Sequence, residues 1–156
     1  MRFILFFLLA SFSFAQSSYE AIHSKDGYEA AEDFYDAIVD NVRPECRNQL
    51  APIVAAIRYS ENGRMGREYG VLHPKALNKN YRTQAGWCAA TVQKNYDRWI
   101  KAGSKGTYIG FLGSRYCPLD DPRDTDGLNK HWIGNVTKFS KRFGYVPDRK
   151  DTQRKE

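Results

Sequence analysis

Residues 51–63 read APIVAAIRYSENG, an apolar run that ends in a glutamate, an asparagine and a glycine. Ile53 and Ile57 stand one helical turn apart within the run, so the pattern predicts a helix. Proline is tolerated in a first helical turn, and we therefore expect this helix to begin near Pro52. Asparagine and glycine adopt the left-handed conformation in which helices end. The pattern places Glu61 at the C-terminal end of the helix.

Four further segments have the apolar periodicity of amphipathic helices. They cover about residues 27–42, 83–102, 107–116 and 126–143. Asp26 precedes the first of these segments as a predicted cap, and Thr83 begins the second in the same role. No segment alternates with the two-residue period of a strand. The sequence therefore predicts an all-α fold with a single helical domain.

Both ends of the chain are expected to lie outside this domain. Residues 1–15 contain one arginine, a compact apolar run and small residues at Ser13 and Ala15, which is the pattern of a cleaved signal peptide. The apolar run is too short to anchor the chain in a membrane. We expect the helical domain over 16–147 and a disordered charged tail over 148–156. This organisation predicts a periplasmic or secreted protein.

The composition narrows the classes of partner. The chain carries 24 Lys+Arg and 18 Asp+Glu, a formal net charge of +6. For an exported protein this charge suits an anionic polymer such as bacterial cell wall, or a membrane surface, although it also serves solubility alone. Acidic and basic residues are mixed along most segments, so no nucleic-acid-binding face is predicted. No segment after residue 15 is apolar for long enough to span a membrane. The cysteines and histidines lack metal-ligand spacing, so we expect no metal, no cofactor and a monomeric chain.

Glu61 is the candidate catalytic residue. A carboxyl group at a helix C-terminus faces the negative end of the helix dipole, which favours its neutral form. Aromatic neighbours would act in the same direction, and Tyr59, Tyr69 and Trp87 are the candidates. A protonated carboxyl near neutral pH can donate its proton to a glycosidic oxygen. The tripeptide Glu-Asn-Gly alone is a weak signal, because glutamates before a helix end are mostly ordinary surface residues.

A longer stretch resembles the lysozyme-like domain of soluble lytic transglycosylases and goose-type lysozymes. AIRYSENG, residues 56–63, takes the place of a hydrophobic helix that ends in Glu-Ser-Gly. Residues 70–72 take the place of a Gly-Leu-Met-Gln-like turn that lines the saccharide cleft in those families. QAGWCAA, residues 84–90, is similar to their next core helix, and YIGFLGSRY, residues 108–116, replaces their Ala-Ala-Tyr-Asn-Ala-Gly segment. The resemblance covers about residues 53–136.

The resemblance implies an enzyme that cleaves peptidoglycan glycan strands at the β-1,4 bond between MurNAc and GlcNAc, with Glu61 as catalytic acid. An ordinary glycosidase uses two carboxylates, whereas soluble lytic transglycosylases use one glutamate as acid and then as base. Glu68 is a secondary catalytic candidate, but an ion pair with Arg64 or Arg67 explains it equally well. Lytic transglycosylation is therefore slightly favoured over lysozyme-type hydrolysis. The implied substrate-binding residues are Tyr69, Gly70, Val71, Leu72, Tyr108 and Tyr116.

This sequence departs from the family pattern at two places in the cleft. His73 stands where the family has glutamine, and Phe111-Leu112 stands where it has Tyr-Asn. Tyr108 or Tyr116 would then supply the aromatic hydroxyl. These departures affect the expected substrate contacts more than the identity of the acid. The alternative function is a non-catalytic cell-wall-binding protein on the same scaffold, which an exposed Glu61 without a groove would favour.

Three cysteines lie after the predicted signal peptide. An oxidising compartment permits one disulfide and leaves one thiol over. Cys88 and Cys117 both lie in the stretch that carries the resemblance, which favours a Cys88–Cys117 bridge. Cys46–Cys88 and Cys46–Cys117 stay open as alternatives.

Overall fold

The computed structural model of the chain describes residues 16–61 and 63–147, and these contain helices, turns and loops but no strand. The predicted all-α fold is confirmed. The helices are α1 over residues 16–26, α2 over Tyr28–Asn41, α3 over Arg47–Ser60, α4 over Tyr81–Lys101, α5 over Tyr108–Tyr116 and α6 over Asn129–Arg142. No helix within the described ranges has both the length and the apolar character needed to cross a membrane. The predicted signal peptide over 1–15, the predicted tail over 148–156 and Asn62 lie outside the described residues.

The central helix is α3. Every residue from Leu50 to Arg58 is buried, and a helix that is apolar around its whole circumference must be enclosed by other elements. α3 packs chiefly against α6 and also against α4. α2 packs against α4, and α5 contacts both α4 and α6. The last residues of α3 are therefore held from several directions.

α3 begins earlier than the position of Pro52 indicates. A 3₁₀ turn over Pro44–Cys46 leads directly into the helix, which starts at Arg47 and contains Pro52 in its interior. An interior proline removes one helical hydrogen bond. Pro52 is itself buried, so apolar packing offsets the missing bond. The prediction that the helix begins near Pro52 is wrong by more than one turn.

Two predicted helix caps are also wrong. Asp26 belongs to α1 and does not cap α2, whose N-cap is Gly27 and has no side-chain hydrogen bond. Asn80, not Thr83, caps α4, because its Oδ1 accepts the backbone N–H of Thr83 at 2.9 Å. The side-chain oxygen of the residue directly before a helix satisfies a free N–H group of the first turn in this way. α4 consequently begins two residues before Thr83, at Tyr81.

The predicted Cys88–Cys117 disulfide is wrong, and neither alternative forms, because all three cysteines are free thiols. Cys88 is buried within α4. Cys117 follows α5, and its thiol donates a hydrogen bond to Asn129 Oδ1 over 2.8 Å. The Cys117 side chain is therefore engaged with the first residue of α6 and not with α4.

Candidate active site

Glu61 is the residue at which α3 ends. Its φ of −85° and ψ of 129° leave the helical region, while its N–H still donates to the Ile57 carbonyl at 2.9 Å. The side chain is half-buried and lines a cleft of about 610 Å³. The cleft lies between the end of α3, the turn at Gly70, the end of α5, the loop after α5 and one face of α6. This is the one end of α3 at which the helix dipole disfavours a negative charge.

The Glu61 carboxyl is held by a direct hydrogen bond from α6. Trp132 Nε1–H donates to Glu61 Oε1 at 3.0 Å. The Tyr116 ring stacks on Trp132 with centroids 5.3 Å apart and an interplanar angle of 23°. The Tyr116 hydroxyl donates to the Tyr69 carbonyl at 2.6 Å. Two stacked rings from α5 and α6 thus form an aromatic wall beside the carboxyl.

Gly70 lies directly against the other carboxyl oxygen. Its φ is +68°, and a Cβ at this position would lie 2.6 Å from Glu61 Oε2 and 2.7 Å from Cδ. Only glycine meets both constraints without strain. The buried Gln84 of α4 holds the turn, because its Nε2 donates to the Val71 carbonyl at 3.0 Å and its Oε1 accepts the Tyr69 N–H at 3.4 Å. The backbone on both sides of Gly70 is therefore tied to α4.

A buried ion pair supports the last turn of α3. Arg58 donates to both carboxylate oxygens of Asp26, through Nη2 at 2.7 Å and Nε at 2.8 Å. The Tyr81 hydroxyl donates to Asp26 at 2.8 Å and lies 3.0 Å from the Tyr69 hydroxyl. Arg58 Nη1 also reaches the backbone carbonyl of Glu61 at 3.3 Å. The network therefore connects α1, α3 and α4 to the backbone of the candidate acid.

The electrostatic surroundings of Glu61 favour its protonated form. Burial raises the pKa of Glu61 above the ordinary carboxyl value, while the hydrogen bond from Trp132 and the positive charge of Arg58 oppose the rise. Desolvation disfavours a carboxylate because the charge loses its hydration. A glutamate with a raised pKa keeps its proton closer to neutral pH, as a general acid requires.

The facing wall of the cleft is the loop between α5 and α6. Arg123 donates to Asp121 Oδ1 from its side-chain Nε at 2.8 Å and from its backbone N–H at 2.9 Å. These hydrogen bonds lower the pKa of Asp121 to about 2. Asp124 accepts the two backbone N–H groups at the start of α6, at 2.8 and 3.1 Å. Asp126 is exposed on the same wall.

Three of the predicted substrate-binding residues line the cleft: Gly70, Leu72 and Tyr116. Leu72 is 46% exposed and offers an apolar surface. Tyr69 is fully buried and Val71 is half-buried. Neither side chain lines the cleft, and a backbone group of each residue bonds the Gln84 side chain.

Tyr108 lies in the core and not in the cleft. It is fully buried, and its hydroxyl donates to the Val92 carbonyl at 2.6 Å. Its ring packs against Tyr96 and Trp99, with centroids 5.1 and 5.7 Å away. Tyr108 and Tyr116 begin and end α5, so about 12 Å of helix separates them. Tyr108 is thus a core residue, and of the two tyrosines only Tyr116 lines the cleft.

Glu68 is buried within the loop that follows α3. Its Oε1 accepts the backbone N–H of Gly66 at 2.9 Å, and its Oε2 has no hydrogen-bond partner among the described residues. Glu68 does not belong to the cleft lining. It therefore stabilises the loop and does not face Glu61 across a bound substrate.

The site residue that the sequence pattern does not reveal is Trp132. Its helical spacing assigns it to the core, and it is indeed 5% exposed. Its indole nitrogen nevertheless reaches the carboxyl of Glu61, 71 residues earlier in the chain. No local signal could have paired these two side chains, because their contact depends on how α6 crosses α3.

Comparison with protein families, with curated proteins and with solved structures gives no match for this chain. Within the two described ranges, no group of three or more His, Cys, Asp or Glu side chains could hold a metal ion. The chemistry of the site follows from its own geometry, above all from the Glu61 carboxyl in the cleft and its hydrogen bond from Trp132.

Proposed function

We propose that the chain cleaves peptidoglycan glycan strands at the β-1,4 bond between MurNAc and GlcNAc, with Glu61 as acid and then base. The observation that carries the proposal is the half-buried Glu61 carboxyl, which lines an open cleft, accepts a hydrogen bond from Trp132 and has a raised pKa. The substrate is inferred from the sequence resemblance to lysozyme-like domains. A non-catalytic wall-binding protein would need no carboxyl in this environment.

The chemistry begins with protonation. Glu61 donates its proton to the glycosidic oxygen, and the bond between that oxygen and C1 of MurNAc breaks with an oxocarbenium-like transition state. The resulting carboxylate removes the proton from the muramyl 6-hydroxyl, whose oxygen bonds to C1 and gives a 1,6-anhydro product. If water takes the place of the 6-hydroxyl, the same site hydrolyses the bond. Both routes return the proton to Glu61.

Two of the three other carboxylates that line the cleft are engaged by the protein, which favours the route with a single glutamate. Asp121 is engaged by Arg123, and Asp124 is engaged by the start of α6. Only Asp126 is exposed on this wall without either role. A hydrolytic enzyme of the usual kind would require a second free carboxylate opposite the acid. We therefore expect transglycosylation as the main reaction and identify Asp126 as the residue that tests it.

The walls of the cleft suit a glycan. Sugar rings present apolar C–H faces, and Leu72 and the stacked pair of Tyr116 and Trp132 provide apolar and aromatic surface along the cleft. Most of the other residues that line the cleft are polar or charged, and such groups can bond the hydroxyl and acetamido groups of a glycan. Without the predicted signal peptide the chain keeps 23 Lys+Arg against 18 Asp+Glu, and this net charge of +5 favours approach to an anionic wall polymer.

The test is mass spectrometry of soluble products from purified peptidoglycan sacculi, with wild type, Glu61→Gln and Asp126→Asn compared. We expect 1,6-anhydro muropeptides from wild type and from Asp126→Asn. The loss in Glu61→Gln should be about 100-fold or more, the usual contribution of a general acid. If wild type instead releases products with a reducing end, and these disappear in Asp126→Asn, the reaction is hydrolysis. Equal release by Glu61→Gln, or binding to sacculi without any release, would refute the proposed enzyme and favour the wall-binding alternative.

A further inference from the structure

The two oxygens of the Glu61 carboxyl have different surroundings. Oε1 accepts the indole N–H of Trp132 at 3.0 Å. Oε2 is the atom nearest to the position that a Cβ on Gly70 would occupy, at 2.6 Å. Gly70 itself lines the cleft. One oxygen is thus occupied by the protein, and the other lies at the cleft floor.

The indole of tryptophan can only donate a hydrogen bond. In a protonated carboxyl the carbonyl oxygen is the better acceptor, so the contact with Trp132 selects Oε1 as carbonyl oxygen and leaves the proton on Oε2. After the proton has been transferred, the same N–H bonds the carboxylate, because charge-assisted hydrogen bonds are stronger than neutral ones. The contact therefore persists through both protonation states.

Trp132 is itself well supported. It is 5% exposed, and one face is covered by Tyr116. The Tyr116 hydroxyl is tied to the carbonyl of Tyr69, next to Gly70. A donor whose own orientation is locked by packing holds its acceptor within the narrow range of geometry that catalysis needs.

We propose that Trp132 is a positioning residue for Glu61, whose indole N–H holds Oε1 and keeps the transferable proton on Oε2 beside Gly70. This inference rests on the proposed function, and it adds the direction of attack. The glycosidic oxygen that receives the proton must approach over Gly70. A side chain at position 70 would occupy the space that this oxygen needs.

The first test reads the contact without any substrate. In ¹H–¹⁵N spectra of the purified protein, we expect the indole N–H signal of Trp132 to move with pH as Glu61 titrates and to stop moving in Glu61→Gln. Trp99 is the matched internal control, because its indole donates to a backbone carbonyl, that of Lys105 at 3.3 Å, and not to a carboxyl group. An indole signal of Trp132 that is indifferent to Glu61 overturns the proposal, whatever the enzyme activity.

The second test separates positioning from folding. Trp132→Phe keeps an aromatic ring for Tyr116 to stack on but removes the donor. We expect kcat for muropeptide release to fall about tenfold and the decline of activity at high pH to shift to higher pH, since the carboxylate loses a stabilising hydrogen bond. Trp99→Phe is the control for loss of a buried indole and should change neither readout. An unchanged pH profile in Trp132→Phe overturns the proposal.

The failure of the proposed function would look different. In that case the indole N–H signal of Trp132 would still follow the titration of Glu61, but Glu61→Gln would retain full activity. The contact would then exist without a role in catalysis.

Discussion

Replacement of Gly70 by alanine tests the arrangement of Gly70 and the Glu61 carboxyl, because the added methyl group displaces the carboxyl and also fills the space above Gly70. The added Cβ would lie 2.6 Å from Oε2, 2.7 Å from Cδ and 3.1 Å from Oε1. To reach an ordinary contact of 3.4 Å, the carboxyl must move by roughly 0.8 Å. A movement of this size weakens the hydrogen bond to Trp132 and displaces the proton from the glycosidic oxygen. Misplacement of a catalytic group by about 1 Å can reduce the rate about 100-fold, and we expect a loss of that order.

The expected loss of stability is much smaller. The carboxyl is the far end of a side chain and can yield, so the main cost to the fold is the left-handed φ of +68°. For a residue with a Cβ this backbone conformation costs about 1–2 kcal/mol. Gly70→Ala should therefore remain folded in urea titrations while its release of muropeptides falls steeply.

Gly103→Ala is the matched control. Gly103 also has a left-handed φ, +82°, but an added Cβ would have no atom within 4 Å. It should lose the same amount of unfolding free energy as Gly70→Ala and keep its activity. If the two variants release muropeptides at equal rates, the carboxyl of Glu61 is not the group whose position matters, and the reasoning about the acid is refuted.

Three further predictions concern stability and the thiol of the cleft. Asp26→Ala leaves the buried Arg58 guanidinium without its partner, so urea denaturation should give an unfolding free energy lower by about 3–5 kcal/mol; a change under 1 kcal/mol would contradict this role. Burial raises the folded-state pKa of Glu61 above 4.5, so wild type should lose stability relative to Glu61→Gln as pH rises from 4.5 through that raised value; a constant difference across this range in denaturation curves would contradict it. Burial raises the pKa of Cys117 to about 11, so alkylation by iodoacetamide should be slow at pH 7 and faster by roughly tenfold per pH unit. Because Cys117 lines the cleft, alkylation should stop muropeptide release by wild type, whereas release by Cys117→Ser should be unaffected by iodoacetamide.

The helices could be predicted from the sequence because their signal is local. Apolar residues at helical spacing identify α2 to α6, although the predicted start of α3 near Pro52 is more than one turn late. α1 has no such pattern, and Ile22 is its only hydrophobic residue with full burial. It is held in the fold by contacts between residues far apart in sequence, such as the hydrogen bond from the Tyr59 hydroxyl to the Ala21 carbonyl and the ion pair of Asp26 with Arg58. Local periodicity does not contain that information.

The candidate site could also be predicted only as far as local sequence patterns and the family resemblance reach. Glu61 follows from the apolar run and the helix end, and Gly70 follows from the resemblance of residues 70–72 to a cleft-lining turn. Trp132 could be placed on an inward face, but not against a particular partner. Tyr108 and Tyr116 look alike in the sequence, and only the direction of α5 separates a core residue from a cleft residue. The prediction of a Cys88–Cys117 disulfide was wrong for the same reason, because two cysteines in the same stretch of resemblance need not have adjacent side chains.

The pKa of Glu61 is raised by some neighbours and lowered by others, and this balance explains why the fold tolerates a partly buried acid. Burial favours the neutral carboxyl, whereas the N–H of Trp132 and the charge of Arg58 favour the carboxylate. An acid that must also act as base needs both states to be accessible, because a carboxyl stabilised only in its neutral form would not release its proton and one stabilised only as carboxylate would not take it back. Arg58 is neutralised in turn by Asp26, so its effect on Glu61 is weakened but not abolished. Disruption of that ion pair should therefore change the pH dependence of the reaction as well as the stability of the fold.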